Sequence, residues 1–296
     1  MNFPLNENSQ KISKDSIVIL GICRNVGKDL SADISRLSVA FSDFSQVHFR
    51  VVESDSIDNT IEVLYSLQQI HQNFKFKTFG NLERLISNRW ERIAYCRNAC
   101  LDYMAEDPEL NTANYFAVVD LDGVNSRIDR EAVLSCWATD DWDVCTANQK
   151  GPYYDVFALR HKDWSPTDCW KFEAALKDQG IHPVLAREQA IYKRQRVISP
   201  NSEWIEVDSA FGGLAIYRRS ILGAAKYQGK LPDGSVVCEH VPFHESLKSR
   251  GARIFINPLL INGGWNGHSQ SHSLGNRIKR LMKVRIVRLG LGFLLD

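Results

Sequence analysis

The stretch YFAVVDLDGVN, residues 115–125, decides the reading of this chain. An apolar run of strand length ends in two aspartates, Asp120 and Asp122, one residue apart. Such a run buries itself in a sheet, and its end reaches the rim. Two carboxylates side by side at a rim ask for a turn or a cation. The plainest account is a strand-end turn, where Asp and Gly are common. A calcium-binding helix–loop–helix counted from Asp120 fails. It needs an oxygen ligand at its fifth position and glycine at its sixth, where the chain has Val124 and Asn125. A third account is a phosphatase nucleophile in a DxDG motif. A fourth is a DxD pair holding a divalent ion on the diphosphate of a sugar nucleotide.

The flanking sequence weighs these accounts. SIVILGICRN (16–25) is an apolar strand ending in polar residues, and helical spacing follows at Leu30, Ile34, Leu37, Ala40, Phe41 and Phe44. VHFRVVESDSIDNT (47–60) is a second strand that breaks at ESDS. Asp58 or Asn59 is placed to cap a helix carrying Ile61, Leu64, Leu67 and Ile70. FKFKTFG (74–80) alternates like a strand, WERIAYCRNACLDYMAED (90–107) is an amphipathic helix, and the YFAVVD strand comes next. This alternation predicts an α/β fold with a mostly parallel, Rossmann-like central sheet flanked by helices. Ligands in such folds bind beyond the carboxyl ends of the strands. There the chain places Arg24 and Asn25, Glu53 and Asp55, then Asp120 and Asp122. A haloacid-dehalogenase-type phosphatase usually carries DxDG on the first strand of its domain, whereas here it ends the fourth. No later lysine and acidic pair falls into place, TDDWD (139–143) coming too soon. Position therefore favours the metal–diphosphate account.

The second half is less regular. WDVCTANQ (142–149) and YYDVFALR (153–160) read as strands, and DSAFGGLAIYRRSIL (208–222) as a Gly-Gly turn, a short strand and a helix start. CEHVPFHESLKSRG (238–251) reads as a helix closed by Gly251, and ARIFINPLLI (252–261) as a strand interrupted by Pro258. With no repeat and no clear linker, the division is a flexible segment 1–15, one domain 16–273 and a tail 274–296. Within the domain, 16–125 carries the regular strand–helix alternation and 126–273 the less regular remainder.

The 296 residues are 44% hydrophobic and 24% charged, which supports a large core. A net charge of +1 supplies no global field for nucleic acid. The seven cysteines, odd in number and without a CxxC pair, read as reduced buried thiols of a reducing compartment. The start, MNFPLNENSQKISKDS, lacks the apolar core of a signal peptide. No run reaches the roughly 18 apolar residues of a membrane span. The expectation is a cytoplasmic protein.

Taken in order, ESDSIDNT (53–60), RIAYCRNACLD (92–102), VVDLDGV (118–124), YYDVFALR (153–160), FGGLAIY (211–217), CEH (238–240) and RGARIFINPLLI (250–261) resemble a GT-A-fold glycosyltransferase. More narrowly, the chain resembles the fungal capsule-associated α-1,3-mannosyltransferase family and its bacterial relatives. The resemblance implies a nucleotide-binding half, 16–125, an acceptor and catalytic half, 126–273, and a metal-dependent enzyme using Mn2+ or Mg2+. It would move mannose or another hexose from a GDP- or UDP-hexose to a hydroxyl of a glycan or lipid-linked glycan. On the donor side, Arg24, Asn25, Glu53 and Asp55 would line the nucleotide pocket. Arg97, on a helix shared with Arg92 and Asn98, would reach the diphosphate. Gly212 and Gly213 would let backbone approach the donor sugar. Asp120 and Asp122 would hold the metal, with Asp120 placed for the ribose as well. A C-terminal histidine, His268 in preference to His272, would complete the metal site. Glu239, with His240 beside it, would serve at the anomeric centre, as a base in an inverting enzyme or a charge stabiliser in a retaining one. Asp155 and His244 are the acceptor candidates, joined by one or two rings from Tyr153, Tyr154, Trp164, Trp170 and Trp204. The alternative to catalysis is an inactive glycan-binding protein of the same fold.

The tail, LGNRIKRLMKVRIVRLGLGFLLD (274–296), has six basic residues from Arg277 to Arg288 and no acid before Asp296. Ile278, Met282, Ile286, Leu289 and Phe293 recur at helical spacing. A basic amphipathic helix suits an anionic membrane surface, or else packs on its own domain. The first use fits surface polysaccharide or lipopolysaccharide assembly on a lipid-linked acceptor, with the enzyme peripheral on the inner face of the cytoplasmic membrane.

Overall fold

A computed structural model describes residues 5–264 and 274–292. Eight strands form one sheet: β1 (Ser16–Cys23), β2 (Gln46–Glu53), β3 (Phe74–Thr78), β4 (Tyr115–Asp120), β5 (Val144–Gln149), β6 (Ile205–Val207), β7 (Leu214–Arg218) and β8 (Ile254–Gly263). Their order is β3-β2-β1-β4-β7-β5-β8-β6. Strands β1 to β4 are mutually parallel, as are β5 and β8, while β7 runs antiparallel to β4 and β5. The helices are α1 (Leu5–Ile12), α2 (Leu30–Ala40), α3 (Thr60–Ile70), α4 (Arg89–Glu106), α5 (Arg130–Leu134), α6 (Cys169–Asp178), α7 (Pro183–Arg187), α8 (His240–Lys248) and α9 (Leu274–Arg288).

The continuous apolar run of β1 follows from its place, because helices cover both of its faces. Successive side chains alternate between two cores. Val18 and Leu20 pack with Ala94, Cys100 and Met104 of α4. Ile17 and Ile19 pack with Leu30, Ile34 and Leu37 of α2. Each fully buried side chain of this kind contributes about 1.5–3 kcal/mol. Asn88 starts α4 by accepting from the N–H groups of Trp90 and Glu91.

From β1 the chain steps outward through α2, β2, α3 and β3. Helix α4 then brings it back, laying β4 along the other side of β1. The strand order reverses between β1 and β4, and the carboxyl ends of these two strands open a crevice there. The charged ends noted in the sequence gather at this reversal.

A buried ion pair anchors the opposite, amino-terminal side of β2's neighbourhood. Arg50 has no exposed surface. Its Nε and Nη2 donate to Asp107 at 3.0 and 2.5 Å, and its Nη1 donates to the carbonyls of Phe49 and Asn73.

Four local expectations change. Residues 5–12, expected to be flexible, form α1, with Ile12 buried and Lys11 Nζ donating to the carbonyl of Trp137. YYDVFALR is not a strand. The Asp155 carboxylate accepts from Ala158 N and turns the backbone locally, which competes with a ladder. After β7 a single 3₁₀ turn, Arg219–Ile221, replaces the expected helix start. Pro258 does not interrupt β8, because the register with β5 shifts there and Asn148 Nδ2 donates to the Pro258 carbonyl. All seven cysteines are buried free thiols.

Candidate active site

At the strand-order reversal lies a cavity of about 680 Å³. Asp120, the last residue of β4, and Asp122 in the turn beyond it both face this space. The turn between them is held from three sides. Asp33 of α2 accepts from Gly123 N, Asp122 accepts from Val124 N, and buried Asn125 donates to the carbonyls of Asp120 and Gly213. Asn262 of β8 in turn donates to Asn125 Oδ1 and to the Gly212 carbonyl.

Arg97 of α4 connects the first half of the chain to the second. Its Nη2 donates to Asp120 at 2.7 Å and its Nε to Glu239 at 2.8 Å. The guanidinium lies 4.9 Å from the centre of the Phe211 ring. Its Nη1 is buried without a hydrogen-bond partner among the described residues. Glu239 is 4% exposed and immediately precedes α8. Next to it, His240 stacks on Phe211 at 3.8 Å between ring centres. Neither His240 nitrogen has a hydrogen-bond partner among the described residues, although Nε2 lies 3.5 Å from Glu239 Oε1.

The electrostatics follow from enclosure. Asp120 keeps 29% of its side chain exposed and lines the cavity. Burial pushes its carboxyl up to about 7; Arg97 opposes the rise, and Asp122 and Glu239 add to it. Burial, then Arg97 and His244, pull His240 well below its usual range, so its imidazole is neutral. A neutral ring with two unengaged nitrogens can accept from one hydroxyl and donate to another.

The other expected site residues separate clearly. Arg24, Asp55, Arg97, Asp155, Glu239 and His240 all line the cavity with the aspartate pair. Asp55 has φ +63° and accepts from Glu83 N, so it also starts the short 3₁₀ turn Leu82–Arg84. Arg92 lines the cavity, while Asn98 turns away and clasps the backbone of Tyr227.

Five expected contacts lie elsewhere. Glu53 accepts from Ser56 N and Thr78 Oγ1, tying the ends of β2 and β3 together. Asn25 accepts from Ile57 N and so joins the loops after β1 and β2. Gly212 and Gly213 have φ +72° and +89°, and an added Cβ would strike Gln149 and Val124 respectively. They serve the interior network behind the aspartate turn rather than open backbone to the cavity. His244 is fully buried between Ser209 Oγ and Tyr217 Oη, each at 2.9 Å, and burial pulls its pKa down to about 3. His268 and His272 lie outside the described residues. Of the five aromatics, Tyr154 and Trp170 reach the cavity; Tyr153, Trp164 and Trp204 belong to packing. Phe211, Asp33, Asn125, Trp90 and Phe157 were not foreseen, since nothing local in the sequence distinguishes them from ordinary core or turn residues.

A hard divalent ion is served by oxygen ligands and keeps several waters or substrate oxygens. Among the described residues no cluster of three or more His, Cys, Asp or Glu is arranged to hold a metal. The two carboxylates Asp120 and Asp122 suit an ion that draws its remaining ligands from a bound diphosphate and water.

No family model matches the chain, and no curated protein matches it. Solved structures do. A mannosyltransferase from Pyrobaculum calidifontis, in complex with GDP-Man and Mn2+, is 11% identical over 97% of this chain and 72% of its own, with a TM-score of 0.49. S. aureus TarS 1–349 is 16% identical over 81% of this chain and 57% of its own, with a TM-score of 0.44. Glucosyl-3-phosphoglycerate synthase from Mycobacterium tuberculosis, in complex with UDP, is 11% identical over 98% and 86%, with a TM-score of 0.43. At these values the likenesses decide nothing about substrate, and the chain's own side chains must.

Proposed function

We propose that the protein is a metal-dependent glycosyltransferase of the GT-A type that transfers a hexose from a GDP- or UDP-hexose to a glycan or lipid-linked glycan hydroxyl. The observation that carries this reading is the unsatisfied polar lining at the strand-order reversal. Arg97 Nη1 and both His240 nitrogens are buried without partners, beside two aspartates at the rim. Each unmade bond costs about 1–3 kcal/mol, which a bound polyhydroxylated or phosphorylated ligand would recover.

In this reading Asp122, which is exposed and, among the described residues, accepts only from the Val124 N–H of its own turn, would hold Mn2+ or Mg2+ together with Asp120. When bound, the ion offsets charge on the departing diphosphate. Arg97 holds Asp120 and Glu239 in register and offers Nη1 to an anionic oxygen of the donor. Asp55 and Arg24 face the nucleoside end. Glu239 and His240 face the sugar: the neutral imidazole bonds sugar hydroxyls, and the carboxylate lies where the acceptor proton or the developing positive charge must be met. A phosphatase reading gains nothing here, because no lysine is among the described residues lining the cavity and Asp120 is engaged by Arg97.

The tail supports peripheral attachment to an anionic membrane. Helix α9 packs on α7, Arg280 pairs at 3.3 Å with Glu188 just after α7, and Ile278, Leu281 and Met282, with Leu289 just beyond α9, are left exposed among basic residues. No helix among the described residues is long and apolar enough to cross a membrane. Each basic side chain near such a surface contributes about 1 kcal/mol.

The test is thermal shift and diphosphate release with GDP- and UDP-hexoses, with Mn2+ and with EDTA. A ligand at 100 times its Kd stabilises by about 2.7 kcal/mol. The reading requires metal-dependent stabilisation by at least one nucleotide; a flat response to all of them sinks it.

A further inference from the structure

The cavity continues past the carboxylates. Its far wall comes from the first turn of α4, the segment after β5 and the helices α6 and α7. Three rings lie there in series. Trp90 meets Phe157 edge-on at 4.9 Å between ring centres, and Phe157 meets Trp170 edge-on at 6.5 Å. An arginine lies across each outer indole: Arg89 is 5.4 Å from the Trp90 ring and Arg187 is 5.2 Å from the Trp170 ring. All five residues line the cavity. Trp170 is 45% exposed. Arg89 forms no ion pair among the described residues, and Arg187 uses its Nε on Glu173 at 2.7 Å. Asp155, the nearest acid in sequence on this wall, directs its carboxylate to Gly212 N and Ala158 N.

We propose that this strip is the acceptor subsite and that it takes an anionic saccharide, a sugar ring carrying a phosphate or a carboxylate. The apolar CH faces of a pyranose cover indole and phenyl faces. A guanidinium lying over an indole carries paired N–H donors that match a phosphate or carboxylate. A neutral sugar covers the rings and leaves Arg89 without a counter-charge and the remaining N–H groups of Arg187, whose Nε is on Glu173, without an anion. Naming the strip an acceptor subsite rests on the transferase reading; the binding preference does not.

The experiment measures binding of glucose, glucose 6-phosphate, glucuronic acid and inorganic phosphate to the whole protein by calorimetry. GDP and UDP with Mn2+ are titrated in parallel. Both anionic sugars should bind at least about 10-fold more tightly than glucose, in line with charge-assisted hydrogen bonds. Arg89→Gln with Arg187→Gln should remove that difference, and Trp170→Ala should weaken every sugar, with nucleotide binding retained in both variants. Equal affinity for glucose and the anions overturns the proposal. So does inorganic phosphate binding as well as glucose 6-phosphate, or an anion preference that survives the double arginine change. Nucleotide binding without any sugar binding overturns this subsite and leaves the donor site standing. An anion preference without nucleotide binding upholds the subsite and removes the donor reading.

Discussion

Four arginines are buried among the described residues, and two of them, Arg50 and Arg97, are buried differently. Arg50 is saturated: two nitrogens meet Asp107 and the third meets two carbonyls. Arg97 is held just as deeply, between Asp120 and Glu239, yet its Nη1 has no partner. Folding alone explains the first arrangement, since a buried charge must be paired and bonded. It does not explain the second, in which a donor is desolvated and left unused. On the proposed function, the contrast separates a cation that holds the fold from one whose last bond awaits a ligand.

The largest effect should come from the saturated site. Arg50→Ala strands the Asp107 carboxylate beside Lys75, and we expect a loss of about 3–5 kcal/mol in a urea melt. Nucleotide binding should survive in whatever protein stays folded. Arg97→Met should instead cost about 10²–10³-fold in diphosphate release, comparable to removing a transition-state donor. If its turnover matched the wild type, Arg97 would be a second Arg50 and the contrast would collapse.

A smaller effect sharpens the comparison through the helix behind Arg97. His244 is neutral in the fold, with its pKa pulled down to about 3 by burial, against about 6.5 when unfolded. The unfolded state therefore binds the extra proton. The contribution of this neutral ring is complete above pH 6.5 and is lost as pH falls toward 3, by about 1.4 kcal/mol per unit. Asp120 works in the opposite sense near neutrality, so the clean measurement is a difference of slopes. Stability of His244→Gln should fall less steeply than wild type between pH 6 and 4, and parallel slopes would refute the assignment.

The smallest effect belongs to Arg24, whose ion pair with Glu83 spans 3.4 Å and is about half exposed. Arg24→Ala should change stability by less than about 0.5 kcal/mol. The donor KM should still rise a few-fold, which a merely superficial residue would not produce.

Much of this was legible. The apolar runs of β1, β2 and β4 and the periodic helices between them gave the parallel half, and the polar residues at the strand ends marked the crevice. Asp120 and Asp122 stood out because charge at the end of a buried run is unusual. Glu239 and His240 drew attention through the motif they sit in, and both line the cavity. The errors share a cause. Glu53, Asn25 and His244 were judged by residue type and rim position, but their side chains are consumed by neighbours that come from distant parts of the chain. The glycine pair was correctly read as needing freedom, and it was placed against the wrong surface.

The sequence by itself determined the α/β alternation, the parallel strands and the charge at their ends, because hydrophobic period and turn chemistry are local properties. Only the tertiary structure decided which charges are spent and which are left over. Arg97 lies between partners at positions 120 and 239, and the ring strip joins residues 90, 157 and 170. Whether a donor stays unpaired in the core depends on every group the fold brings within about 3 Å of it.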